Sequence, residues 1–77
     1  MEIKDFIVNF ADQFDDTEPE EIMAETEFHE LEEWSSMIAL SILNMVAKKY
    51  GYTMTFEDLK KCVTVEDVFN LVTSKVG

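Results

Sequence analysis

Seventy-seven residues, 47% hydrophobic and 30% charged, make one small domain over 1–77 and exclude a disordered chain. The formal net charge of -11 repels phosphate backbones and so excludes nucleic-acid binding. No run approaches the roughly 18–20 apolar residues of a membrane span.

Two glycines and one proline are too few for a set of tight β-hairpins, so an all-α fold is expected. The single cysteine, Cys62, cannot form an internal disulfide, and no charged-then-apolar leader opens the chain. Both point to a reducing, cytoplasmic setting. The charge is also lopsided. Residues 1–33 carry 13 acids against one lysine, and residues 34–77 carry four acids against five lysines. An acidic face of this kind attracts partners with basic patches.

In chain order, Ile3, Phe6, Ile7, Phe10, Ala11 and Phe14 recur at helical spacing and predict an amphipathic first helix. Asp15, Asp16, Thr17 and Pro19 end it. A long connection over 15–34 follows and holds most of the acids. Ile22, Met23 and Phe28 are its expected anchors into the core. A connection this long in a small domain is usually functional or partly disordered.

The second helix is predicted from Ser36 to Tyr50, closed by Gly51 and favoured by Lys48 and Lys49 in its last turn. Thr55-Phe-Glu-Asp58 and Thr64-Val-Glu-Asp67 match the capping pattern of a hydroxyl followed three residues on by an acid. They predict a short helix at 56–61 and a longer one at 65–74, whose apolar face runs from Val65 to Val76. Three main helices and one short one make a small bundle.

Within the second helix, Ala39, Ile42, Leu43, Val46 and Tyr50 form the core-facing stripe. Met37 and Leu40 fall on another face, flanked by Ile38. Either the long connection folds back over them or they form a docking surface. Two serines stand where this helix begins. Ser35 is placed to cap it, a contribution of about 1 kcal/mol. Ser36 is then free, with its hydroxyl at the positive end of the helix, where a phosphate is favoured.

Other candidate sites are poorer. His29 with Glu30, Glu32 and Glu33 offers one imidazole among loop acids, which makes a weak metal site. "DDTEPEE" lacks the alternating ligands and glycine of a calcium loop. Cys62, among Leu59, Val63 and Val65, reads as a small buried apolar residue. No nucleophile–base pair supports an enzyme.

As a unit, "EEWSSMIALSILNMV", "KKYGYTMTFEDL" and "TVEDVFNLV" resemble the acyl carrier proteins, phosphopantetheine-binding carriers of fatty-acid, polyketide and nonribosomal assembly systems. Trp34-Ser35-Ser36-Met37 stands where that family has Asp-Ser-Leu, often preceded by tryptophan, and Phe28 matches the aromatic of its acidic loop. The resemblance spans essentially the whole chain and implies a four-helix bundle.

It implies too that Ser36 bears a 4′-phosphopantetheine arm, moved from coenzyme A by a phosphopantetheinyl transferase that uses magnesium. Acyl groups would ride on the arm as thioesters. Acyl-loading, synthase or transferase enzymes would grip Trp34, Ser35, Met37, Ile38 and Leu40. The expected protein is a monomeric, non-catalytic carrier. Two departures from the family stand out. Ser35 replaces the aspartate, leaving Glu32 and Glu33 to supply that charge. The second helix has no acids where well-known members carry them, so partners should rely on apolar contact and the acidic loop. The competing reading is a carrier-like adaptor that binds a partner through the acidic loop and Met37, Ile38 and Leu40 without being modified.

Overall fold

The computed structural model describes residues 2–76 and contains four α-helices: α1 (Ile3–Ala11), α2 (Ser36–Tyr50), α3 (Phe56–Lys61) and α4 (Val65–Val76). No strand occurs among the described residues, only an isolated antiparallel bridge between Glu27 and Thr64. The all-α bundle with one short helix and a long first connection is the expected architecture. α2 is its centre and packs against α1, α3 and α4, while α1 also packs on α4.

That central place explains how α2 is buried. Ile38, Ala39, Ile42, Leu43, Met45 and Val46 all face the core, a wider face than the single stripe read from the sequence. A helix with neighbours on three sides needs more than one apolar row. Gly51 ends α2 in the left-handed conformation (φ 72°), and its N–H donates to the Ala47 carbonyl at 3.2 Å. A side chain there would be strained.

The core is rich in rings. Phe6, Phe10 and Phe28 are fully buried. Phe69 lies 5.6 Å from Phe6, Phe6 6.2 Å from Phe10, Phe10 5.4 Å from Phe28, and Phe28 4.9 Å from Trp34. One chain of aromatic contacts therefore runs from α4 through α1 to the residue two places before Ser36. Each fully buried ring contributes about 1.5–3 kcal/mol through its apolar area.

Three sequence expectations need correcting. α1 stops at Ala11 instead of running to Phe14, because the N–H groups of Gln13 and Phe14 donate to carbonyls three residues back and tighten the chain into a turn. Phe14 is buried nonetheless. Met23 is 51% exposed and anchors nothing. Ile22 takes the inward position in an extended conformation, so its neighbour points out. α4 continues to Val76, which is exposed.

The connection between α1 and α2 is ordered and tied down. Two short 3₁₀ turns (Pro19–Glu21 and Phe28–Glu30) punctuate it. The first two N–H groups of α4, from Val65 and Glu66, donate to the Thr26 and Ala24 carbonyls at 3.1 and 2.9 Å. Those are orphan donors of a helix start, so loop and helix satisfy each other.

Candidate functional site: the start of the second helix

Ser35 has an extended backbone (φ -156°, ψ 170°), and its hydroxyl accepts the Ile38 N–H at 3.3 Å. It is the N-cap of α2, and Ser36 is the first helical residue, with its side chain exposed. Of the first four helical N–H groups, that of Ile38 goes to the cap and that of Ala39 to the Ser35 carbonyl at 2.9 Å. The Ser36 and Met37 N–H groups have no hydrogen-bond partner among the described residues.

The other capped starts differ. At α3 the Thr55 hydroxyl accepts the Asp58 N–H at 3.2 Å and Asp58 accepts the Thr55 N–H at 3.2 Å. At α4 the Thr64 hydroxyl accepts the Asp67 N–H at 3.2 Å, while Asp67 accepts the Val63 and Thr64 N–H groups, both at 3.0 Å. Hydrogen bonds from the Thr64 and Val63 backbones hold the Asp67 carboxyl below the usual range against a small opposing effect of burial. The Thr55 backbone hydrogen bond does the same for Asp58, helped by Tyr52 and Lys61. α2 has no acid in its first turn. Its positive end is left open, the electrostatic setting for an anion.

Around Ser36 the surface is apolar. Met37 is 79% exposed and Leu40 49%. The connection does not fold over them. Ile38, expected on the same face, is only 9% exposed and belongs to the core. Trp34 is half-buried, its ring against Phe28, His29 and Phe14. Beside Ser36 a groove of about 370 Å³ opens between α2 and α3, walled by Trp34, Ala39, Phe56 and Leu59 with His29 and Lys60 at its edge. Phe56 and Lys60 were not singled out in the sequence. Phe56 follows the Thr55 cap directly, a position that turns its side chain outward, and it is 50% exposed.

Glu33 behaves differently from the expectation that it supplies free charge beside Ser36. Its carboxylate accepts the Asp15 N–H at 2.6 Å, the Asp16 N–H at 2.9 Å, and the Thr17 N–H and hydroxyl, both at 2.8 Å. Burial pushes this carboxyl up, but hydrogen bonds from Asp15, Thr17 and Asp16 outweigh it and hold the group below the usual range. Glu32 is exposed, and the acid that lines the groove with Ser36 is Glu57.

His29 does not gather the neighbouring acids. Its Nε2 lies 3.3 Å from the Leu59 carbonyl, and no group of three His, Cys, Asp or Glu residues among those described is arranged to hold a metal ion. Cys62 is buried, and burial pushes its thiol up, with Asp67 and Asp58 adding to the effect. It packs as a small apolar side chain. No helix among the described residues is long and apolar enough to cross a membrane.

Residues 5–72 match the family model described as a phosphopantetheine attachment site. The chain belongs to that family. Its members carry a covalently attached 4′-phosphopantetheine group, and such carrier domains are typically non-catalytic. No curated protein matches this carrier domain in sequence. The open start of α2 fits the group: an exposed serine stands at the first helical position, the Ser36 and Met37 N–H groups have no partner among the described residues, and a groove lies alongside.

Proposed function

We propose that this chain is a single-domain acyl carrier protein loaded at Ser36. The observation that carries the proposal is an exposed serine at the first position of a helix that another serine caps and no acid closes. In loading, the Ser36 oxygen bonds to a phosphorus of coenzyme A, the pyrophosphate link breaks, and the adenosine-bearing half departs. The serine proton passes to the transferase. When bound, the arm supplies a thiol that holds acyl groups as thioesters. Ser36 holds its phosphate end, the Ser36 and Met37 N–H groups face that charge, and Trp34 and Phe56 line the surface beside it.

Partner enzymes meet a face made of Trp34, Ser35, Met37 and Leu40. Ile38 supports it from beneath. α2 has no acid in its first turn and lysines in its last, so this face binds mainly by apolar contact. The acidic connection offers the complement to basic residues on the partner. The proposed setting is cytoplasmic, in a fatty-acid, polyketide or nonribosomal assembly system, with the carrier as a monomer.

The test is incubation with coenzyme A, magnesium and a broad-specificity phosphopantetheinyl transferase, followed by intact-mass measurement. The parent and Ser35→Ala should each gain one phosphopantetheine, and Ser36→Ala none. A parent that stays unmodified would favour the second reading, an unmodified adaptor that binds through Met37 and Leu40. The exposure of Met37 is the observation behind that alternative.

A further inference from the structure

We propose that Glu33 is the positioning residue for Ser36: the turn Asp15-Asp16-Thr17 is a built carboxylate site, and its occupant is the chain's own Glu33. This inference rests on Ser36 being the loading point. Three successive backbone N–H groups and one hydroxyl converge on a single carboxylate from residues 16 to 18 positions away. Successive N–H groups aimed at one anion form a nest, and hydrogen bonds to a charged acceptor are stronger than neutral ones. The nest begins four residues after α1 ends at Ala11, just past the buried Phe14, so Glu33 ties the last stretch of the connection to the chain leaving the first helix.

Only Trp34 and Ser35 separate the clasp from Ser36, and both are fixed. The Trp34 ring packs against Phe28 and Phe14, the Trp34 backbone N–H donates to the Leu31 carbonyl at 3.0 Å, and the Ser35 hydroxyl caps α2. With Glu33 held, the chain path into the reactive serine has little freedom left. The other half of the connection is secured separately, by the hydrogen bonds of Ala24 and Thr26 to α4. Loss of the clasp therefore frees the segment before Ser36 without removing a core side chain.

The experiment compares Glu33→Ala with the parent and with Glu25→Gln, an exposed acid of the same connection that controls for one lost charge. Three measurements are made: amide exchange at residues 15–17 and at Trp34, urea stability, and the kinetics of loading by a phosphopantetheinyl transferase. In Glu33→Ala the amides of 15–17 and of Trp34 should lose protection while those of Phe10 and Val46 keep theirs. The loading kcat/KM should fall about 10- to 100-fold, the scale of loss when a reacting group is misplaced.

Acetate should refill the nest in Glu33→Ala, restoring protection at 15–17 and part of the loading rate. Thr17→Val, which removes one of the four bonds, should show a smaller loss in the same direction. Loading by Glu33→Ala at the parent rate overturns the proposal. So does a loss that acetate leaves unchanged, or one matched by Glu25→Gln. If the parent itself is never loaded, the carrier assignment fails, and the amide-exchange arm still decides whether Glu33 orders the turn at 15–17 and the backbone at Trp34.

Discussion

Three of this molecule's helix starts are capped by a hydroxyl, and only one is left electrically open. α3 and α4 each bring an aspartate from the first turn back onto the backbone N–H groups just before the helix, whereas α2 has isoleucine at the same position. In a chain with 17 acids the missing one is informative. Ile38 is where the aspartate of a capping box would stand, and it is committed to the core. Packing accounts for the difference: the central helix needs that side chain inside, and its first turn is left without an acid.

The strongest way to break the contrast is Ile38→Asp. By pattern alone it would give Ser35 a capping-box partner like those of Thr55 and Thr64. By packing it removes a core side chain and puts a charge in its place. The core should win, with a loss of at least about 2–5 kcal/mol in urea unfolding. A variant more stable than the parent would show that α2 is open for a reason other than packing. Next in size is Thr64→Ala, which removes the hydroxyl from a closed start and should cost about 1 kcal/mol. Thr55→Ala should act in the same direction. Neither should change loading at Ser36, since both caps serve only their own helices.

The closed starts also predict a pH dependence. The Asp58 and Asp67 carboxyls have folded pKa values below their ordinary 3.8, as does Glu33 relative to 4.5. A lowered folded pKa means that the unfolded chain binds more protons through this window, so stability rises with pH there. The contribution is complete at neutral pH, above the unfolded values, and disappears as pH falls through the folded ones. Urea midpoints measured from pH 6 downward should therefore decline below the ordinary carboxylate pKa. Asp67→Asn should start less stable and decline less steeply. A slope identical to that of the parent would show that the box carboxylate contributes no stability through its charge.

Much of this was legible in the residues, because local signals carry local structure. Ser35 and Gly51 bracket α2 at the bounds read from the sequence, and the Thr–x–x–Asp pairs mark the starts of α3 and α4. What could not be read depends on distant neighbours. Ile38 looks like a flank of the outer face until α2 is seen to touch three other helices. Glu33 looks like one acid among many, since the nest that takes it lies 16 to 18 residues earlier and has no sequence marker. Met23 and Ile22 are adjacent apolar residues, and only the extended backbone between them decides which one is buried. Ser36 is left without a structural duty once Ser35 caps the helix, but its assignment as the loading point comes from the resemblance of the whole stretch to the acyl carrier proteins.

The smallest predicted effect bears most directly on the open start. Met37 follows Ser36 and projects into solvent, so Met37→Glu adds a carboxylate to the first turn without disturbing the core. Its charge should complement the helix dipole and raise stability by about 0.3–1 kcal/mol. The same charge should oppose a phosphodiester at Ser36, and loading by the transferase should slow even as the fold strengthens. Stability and loading moving in opposite directions is the signature of an anion site held open. Met37→Gln separates charge from lost apolar contact, because it changes the contact without the repulsion. If Met37→Glu loads as fast as Met37→Gln, the open end of α2 is not where the phosphate charge sits.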